Sequence, residues 1–199
     1  VLDAGCGYGA FSVSAQRRGA RVVSCDIGAR LVSRTCKATG QLGVVADAIR
    51  KTIPLSKNMN ALEYGCGTGL LSFALQSDLG QITLADTSQG MLDVLSEKIM
   101  NTGVTNMHPM RLDLATDPMP TERYHLTYSL MTLHHVPDTK DILNKFHALL
   151  EPNGYLLVAD LEKEDGSFHA DGTTDVHNGF AQDELQKQVE SAGFGNVTF

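Results

Sequence analysis

Short apolar runs alternate with amphipathic stretches along the chain, most regularly after residue 60. The runs are bounded by glycine or by acidic residues, which is typical of buried strands in a parallel sheet. The stretches between them place apolar residues on one helical face, as in Ile142, Leu143, Phe146, Leu149 and Leu150. This alternation predicts an α/β fold built on a doubly wound, mostly parallel sheet.

Six strands and the helices between them are predicted in the regular region. The strands lie in ALEY, QITLAD, NMHPMRLDL, YHLTYSLMTLHH, GYLLVADL and NVTF. An apolar helix begins at Leu70, and an amphipathic helix runs from Thr139 to Leu150. A last helix runs from Gln182 to Ala192 before Gly193 ends it. The tripeptide Pro-Asn-Gly at residues 152–154 predicts a turn before the fifth strand.

An internal repeat relates the start of the chain to this region at a constant offset of 60 residues. VLDAGCGYGAFSVSAQRRGARVVSCDIG aligns without gaps with ALEYGCGTGLLSFALQSDLGQITLADTS, which begins at Ala61. Each copy predicts a strand, a glycine loop, a helix and a second strand. After the first copy we expect a helix from Ala29 to Thr39 and a third strand in LGVVADA, ending at Asp47.

The repeat divides the chain into three predicted parts. Residues 1–47 form an extra, incomplete βαβ unit, residues 48–60 form a connecting helix or linker, and residues 61–199 form the main domain. The first copy lacks a fourth and a fifth strand, so we expect its ligand site to be vestigial. Val1 and Phe199 each lie within a predicted strand, so we expect a piece of a longer protein whose main domain is truncated at its C-terminus.

A glycine-rich loop follows the first strand of the main domain. Gly65, Gly67 and Gly69 allow a ligand to approach backbone N–H groups with no Cβ in the way. Asp86 ends the next strand, where an acid can bind both hydroxyls of a ribose. The combination of loop and acid predicts a site for a nucleoside cofactor.

The loop departs from the dinucleotide fingerprint Gly-x-Gly-x-x-Gly/Ala. Leu70 takes the sixth position of the pattern, although Ala10 satisfies it in the first copy. Glu63 lies two residues before the first glycine, where a carboxylate would repel a pyrophosphate. Its charge suits a cationic ligand instead, such as a sulfonium that carries an α-amino group.

The segment from Asn60 to Phe199 resembles a class I S-adenosylmethionine-dependent methyltransferase, similar to the ubiquinone and menaquinone biosynthesis enzymes. The resemblance rests on ALEYGCGTG, LADTSQGMLDVL, RLDLA, SLMTLHHVPD and LEPNGYLLVAD, which occur in the family's order. It implies a Rossmann-like methyltransferase fold with S-adenosyl-L-methionine as cofactor. The family's final hairpin strand is missing after NVTF, and residues 1–47 resemble only the first third of the fold.

The resemblance also implies the residues that contact the cofactor. Asp86 would bind the ribose, whereas Asp113 and Met91 would contact the adenine. Cys66 equally fits a packing role, because cysteine is a small residue that is often buried. The implied cofactor contacts are Glu63, Gly65, Cys66, Gly67, Gly69, Asp86, Thr87, Met91, Asp113, Leu114 and Ser129.

Two histidines, His134 and His135, end the fourth strand, where the methyl group of the cofactor should point. Either is a candidate general base for an acceptor hydroxyl, and a histidine bonded to the backbone is the structural alternative. After the fifth strand comes a stretch whose spacing matches no standard metal site, so we expect a polar lid over the acceptor and no metal. Its acidic residues and histidines are Asp160, Glu162, Asp165, His169, Asp175 and His177.

The composition limits the classes of molecule and compartment that the sequence predicts for this protein. The net charge of −7 disfavours nucleic acid, and no apolar run reaches the roughly 18 residues of a membrane span. The four cysteines form no CxxC pair, which favours reduced thiols and a cytoplasmic protein. The oligomeric state is left open.

The reaction expected from these features is methyl transfer to an O, C or S atom of a small-molecule acceptor. No Asn/Asp-Pro-Pro-aromatic run follows the fourth strand, which disfavours amino methylation of nucleic-acid bases. Two alternatives stay open: a non-catalytic cofactor-binding or scaffold protein, and a nicotinamide-dependent oxidoreductase.

Overall fold

The computed structural model describes residues 10–17, 26–27, 38–163 and 177–199. Within them, eight strands form one sheet: β1 (Ala10–Arg17), β2 (Asp26–Ile27), β3 (Ala61–Tyr64), β4 (Ile82–Asp86), β5 (Met107–Arg111), β6 (Tyr124–Leu130), β7 (Leu150–Leu161) and β8 (Phe194–Thr198). The helices are α1 (Ala38–Thr52), α2 (Leu70–Leu75), α3 (Gln89–Thr102), α4 (Thr139–Leu149) and α5 (Gln182–Ser191), with a 3₁₀ helix at Leu133–His135.

Five parallel strands form the centre of the sheet in the order β7-β6-β3-β4-β5. The chain winds outward from β3 through β4 to β5, then returns to the other side of β3 through β6 to β7. The prediction of a doubly wound, mostly parallel α/β sheet is therefore confirmed. The reversal places a topological switch point beside β3, which is where such sheets bind ligands at the carboxyl ends of their strands.

Helices cover both faces of this sheet and enclose two apolar cores. Alternation along β3 sends Leu62 and Tyr64 to one core and Ala61 to the other. The first core is completed by α4 and α5 and the second by α1, α2 and α3. None of the helices that the structure describes has the length and apolar character needed to cross a membrane.

The helix predicted after the first glycine pattern is wrong, because Ala10–Arg17 is a strand. This segment alternates apolar and polar residues in sequence, as in Phe11, Ser12, Val13 and Ser14, which is the period of a strand and not of a helix. It pairs antiparallel with β7 on one side and with β8 on the other. The first glycine pattern itself lies outside the described residues.

The strand predicted in LGVVADA is also wrong, since these residues belong to α1. Val45, Ile49 and Ile53 are all buried and recur every four residues, so their period is helical. The segment LGVVADA alone is too short to show this helical period, which becomes clear only with Ile49 and Ile53. The predicted boundary at residue 47 consequently falls inside a helix.

The predicted turn at residues 152–154 lies inside β7. Tyr124 pairs with Leu150, whereas Leu126 pairs with Tyr155, so the register between β6 and β7 shifts at this point. Asn153 has a φ of 65°, a left-handed conformation that asparagine tolerates better than most residues. The Pro-Asn-Gly sequence therefore makes a bulge within the strand.

The packing of α1 can be tested with Ile49→Ala. Ile49 is fully buried in the second core, so its truncation should lower the free energy of unfolding by about 2–5 kcal/mol. Lys51→Ala, on the exposed side of the same helix, should change it by less than about 0.5 kcal/mol. Chemical denaturation would measure both, and equal effects would contradict the helical assignment.

Candidate active site

The loop between β3 and α2 contains three glycines with left-handed backbone, Gly65 (φ 73°), Gly67 (φ 52°) and Gly69 (φ 73°). A Cβ on Gly65 would collide with the side chain of Thr132, and one on Gly69 would lie 2.6 Å from Cδ1 of Leu95. A Cβ on Gly67 would have nothing within 4 Å. Internal packing therefore requires glycine at the first and third positions, whereas the second borders open space.

Asp86 connects this loop to the end of β4. Its Oδ2 accepts a hydrogen bond from the N–H of Gly67 at 2.7 Å, and its Oδ1 accepts one from the N–H of Ser88 at 2.8 Å. A carboxylate offers about four acceptor positions, so these two bonds leave capacity for hydroxyl donors. The predicted ribose acid thus lies directly beside the open glycine.

Glu63 is buried below the loop, with 2% of its surface exposed. The hydroxyl of Ser72 donates to Glu63 Oε2 and lies 2.5 Å from the hydroxyl of Tyr128. Burial raises the pKa of Glu63 to about 8; hydrogen bonds from Ser72 oppose the shift, and the charge of Asp86 adds to it. Burial likewise raises the pKa of Tyr128 and of the Cys66 thiol.

The residues predicted to contact adenine lie after β5 and at the start of α3. Asp113 accepts from the N–H of Ala115 at 2.9 Å and from the hydroxyl of Thr116 at 3.1 Å, so it organises its own turn. Met91 is half-buried in the first turn of α3. Thr87, which the resemblance also implies, is exposed.

Leu114 and Ser129 lie deeper than their predicted roles suggest. The Leu114 side chain is fully buried, and its N–H donates to the hydroxyl of Tyr64 at 3.3 Å. Its carbonyl accepts from Nζ of Lys145 at 2.6 Å. Ser129 is fully buried in β6, and its hydroxyl has no hydrogen-bond partner among the residues that the structure describes. The cofactor role of both residues stays a prediction.

The turn after β6 is held by Asp160, whose side chain is completely buried. Asp160 Oδ2 accepts from the N–H groups of Thr132 at 3.0 Å and Leu133 at 2.7 Å, and its Oδ1 lies 2.6 Å from Nδ1 of His134. The same turn begins at Met131, which has a φ of 53°. A single carboxylate therefore fixes the turn that packs against the glycine loop.

The two candidate histidines have different surroundings. His134 is 1% exposed, and its carbonyl accepts from the N–H of His177 at 3.1 Å. His135 is exposed, and the two imidazole rings lie with centroids 4.0 Å apart. His177 also lies 3.0 Å, through Nε2, from the carbonyl of Val136. Nδ1 of His134 lies against a carboxylate, and the role of either histidine, catalytic or structural, stays a prediction.

Part of the predicted lid lies outside the described residues, including Asp165, His169 and Asp175. Within the described ranges, no group of three or more His, Cys, Asp or Glu side chains is arranged to hold a metal.

Four residues of the site were not predicted from the sequence. Ser72 had a usable signal, because the repeat pairs it with Ser12. Tyr128 and Thr132 carried none, since each lies in an apolar segment typical of a strand. Asp160 has acidic neighbours in sequence, so the pattern predicts it in the lid and gives no sign of its position at the end of β7.

A glycine loop and a ribose-type acid at the switch point of a doubly wound sheet define a nucleoside-binding α/β protein. Two sequence families, both described as methyltransferase domains, match the chain at residues 61–154 and at residues 2–59. These matches support the resemblance of the chain to the class I S-adenosylmethionine-dependent methyltransferases.

Individual relatives agree with this assignment. An uncharacterized methyltransferase of Schizosaccharomyces pombe is 32% identical over 155 residues, covering 70% of this chain and 54% of that protein. A ubiquinone/menaquinone biosynthesis C-methyltransferase of Pseudoalteromonas translucida is 31% identical over 121 residues, covering 57% and 48%. The structure of an S-adenosylmethionine-dependent methyltransferase from Aquifex aeolicus matches with a TM-score of 0.62 at 20% identity, covering 74% and 78%. The chain spans about half the length of the curated relatives it matches.

The family match at residues 2–59 agrees with the internal repeat in sequence. In the structure, however, the described part of this region forms β1, β2 and α1, which is not the strand-loop-helix-strand order of the second copy. A second folded copy of the unit therefore stays a prediction.

The raised pKa of Glu63 predicts a pH dependence of stability. Between its ordinary value of 4.5 and about 8, the folded chain keeps a proton that the unfolded chain has lost. The free energy of unfolding should therefore fall as the pH rises through this window, by roughly 1 kcal/mol per pH unit from this group. Glu63→Gln should remove that part of the slope in denaturation curves at pH 5 to 7.5.

Glu97→Gln supplies the matched control, because Glu97 is exposed on α3. This variant should keep the wild-type slope. Parallel pH profiles of Glu63→Gln and the wild type would show that Glu63 does not hold its proton in the folded chain.

Proposed function

We propose that this chain binds S-adenosyl-L-methionine at the carboxyl edge of β3 and β4 and transfers its methyl group to a small-molecule acceptor. The observation that carries the proposal is the meeting of Gly67 and Asp86: an open, left-handed glycine whose N–H is bonded to the acid of the next strand. The family matches support the same cofactor.

The residues present fit this cofactor on three counts. The open side of Gly67 admits a ligand next to the backbone. The spare acceptor capacity of Asp86 suits the two hydroxyls of a ribose. Glu63, a buried acid, can ionise when a positively charged ligand lies nearby, whereas the pyrophosphate of a nicotinamide dinucleotide would favour its neutral form.

The cofactor supplies a methyl group that is already activated on a sulfonium. The protein then has to hold the ligand, align an acceptor with it and exclude water. The glycine loop and Asp86 hold the ligand. The turn fixed by Asp160 borders the loop at Gly65 and forms the wall from which an acceptor would approach. His134 or His135, on that turn, is the candidate to accept a proton from an acceptor hydroxyl.

We assign the acceptor to the class of small molecules, with an O, C or S atom as the methylated position. The similarity to a ubiquinone/menaquinone biosynthesis C-methyltransferase supports a small-molecule acceptor. The net charge of −7 argues against a nucleic-acid acceptor. The buried free thiol of Cys66 is compatible with the reducing environment of the cytoplasm.

The ribose role of Asp86 is tested by Asp86→Ala. Removing the carboxylate should weaken binding of S-adenosylhomocysteine by about 1.5–3 kcal/mol, the range for hydrogen bonds to a charged group. Isothermal titration calorimetry would measure the change. Asp93→Ala, which removes an exposed acid from α3, should leave the affinity unchanged. Tight binding of NADH in place of S-adenosylhomocysteine would favour the oxidoreductase alternative.

The position of the ligand is tested by Gly67→Val, which places a side chain in the open space beside the loop. This variant should abolish binding. Gly103→Val is matched to it, because Gly103 also has a positive φ (69°) and open space around its Cβ but lies at the end of α3. Equal loss of binding in both variants would indicate backbone strain and not ligand contact.

One cofactor should bind per chain. The residues after the first glycine pattern lie in β1 and not in the helix that a second loop would need. Gly7→Val should therefore leave the affinity nearly intact, and calorimetry should give a stoichiometry of one. Two sites per chain would show that the first copy is functional.

A further inference from the structure

Glu63 is a buried acid without a cationic partner among the described residues. The hydroxyl of Ser72 donates to it and lies 2.5 Å from the hydroxyl of Tyr128. Both hydroxyls are neutral, and no described lysine, arginine or histidine forms an ion pair with Glu63. An unpaired buried carboxylate is costly, so such a group keeps its proton until a positive charge arrives.

The charged and titratable groups around Glu63 do not supply that charge. From β4, the carboxylate of Asp86 faces it and disfavours a second negative charge. The glycine loop contributes the Cys66 thiol, and β6 contributes the Tyr128 phenol. Burial raises the pKa of both groups and so favours their neutral forms. α2 contributes only the uncharged Ser72. Glu63 lies close enough to this site for the charge of Asp86, whose Oδ2 accepts from the N–H of Gly67, to act on it. A positively charged ligand bound there would therefore favour its carboxylate form.

We propose that Glu63 couples a proton to the charge of the bound cofactor: it ionises when the positively charged S-adenosylmethionine binds, and it holds its proton beside the neutral product S-adenosylhomocysteine. The inference rests on the proposed function, since it concerns the same site. It makes Glu63 a residue that discriminates the cofactor from its product.

The charges of the two ligands differ in the way that this coupling requires. S-adenosylmethionine carries a sulfonium and an ammonium against one carboxylate, so its net charge is positive. S-adenosylhomocysteine has lost the sulfonium and is neutral overall. Both ligands keep the ammonium and the carboxylate, so the sulfonium is the charge that differs between them. Binding of S-adenosylmethionine favours the carboxylate of Glu63 and releases a proton, whereas S-adenosylhomocysteine brings no net positive charge to favour ionisation. The coupling thus favours exchange of product for new cofactor as the pH rises.

Calorimetry of the wild-type chain tests this without an acceptor. Titrations at pH 6 to 8.5, each repeated in phosphate and in Tris, would count released protons from the difference in buffer ionisation heat. At pH 7 we expect release of about one proton with S-adenosylmethionine, clearly less with S-adenosylhomocysteine and none with the uncharged methylthioadenosine. The preference for S-adenosylmethionine over S-adenosylhomocysteine should grow by up to about tenfold per pH unit below pH 8.

Glu63→Gln keeps the shape of the side chain but cannot ionise. It should release no proton with any ligand, and its preference between the two ligands should not depend on pH. Glu97→Gln should behave as the wild type. Ser72→Ala, which removes a hydrogen bond that favours the charged form, should move the wild-type profile to higher pH.

The outcomes separate the inference from the function on which it rests. Binding of both ligands with equal proton release, or with a preference that does not depend on pH, would overturn the inference and leave the cofactor assignment intact. If neither ligand bound the wild type at any pH, the proposed function would be wrong and the inference would fall with it. The wild-type titrations decide this even if Glu63→Gln does not fold.

Discussion

The site depends on the contact between the glycine loop and the turn that follows β6. Gly65 has no room for a Cβ because the side chain of Thr132 lies against it, and the hydroxyl of Thr132 donates to the Gly65 carbonyl at 3.3 Å. Thr132 is in turn held by the buried carboxylate of Asp160. These hydrogen bonds connect the carboxyl ends of β3, β6 and β7 and hold the loop in one conformation.

The three glycines of the loop show that one motif combines two physical requirements. Gly65 and Gly69 are needed because the protein packs against them, at Thr132 and at Leu95. Gly67 is needed for a different reason, since nothing within the described protein approaches it. A sequence pattern gives these positions equal weight. Only the surroundings of each missing Cβ separate the glycine that faces a ligand from those that serve the fold.

The main domain was predictable because its strands and helices have unambiguous periods and caps. Its central β3 is buried along its whole length, and Gly193 ends α5 with a φ of 95°. The N-terminal part was not predictable in the same way, because the repeat suggested a helix where the alternation in AFSVSAQR favoured a strand. The roles of Asp160 and Tyr128 were not predictable for another reason, because they come from contacts between residues distant in sequence. Periodicity describes one element at a time and carries no information about such contacts.

Two buried carboxyl groups near the site have opposite surroundings, and the contrast suggests different tasks. Asp160 is surrounded by donors: three backbone N–H groups and the ring of His134 lie within hydrogen-bond distance of its oxygens. Such an acid is fixed in place and organises the backbone around it. Glu63 accepts from the hydroxyl of Ser72, which in turn lies 2.5 Å from the hydroxyl of Tyr128. Hydroxyl groups can donate or accept, so these partners are compatible with either protonation state of the acid. The first acid therefore fixes the backbone beside the glycine loop, whereas the second has the surroundings that the proposed coupling requires.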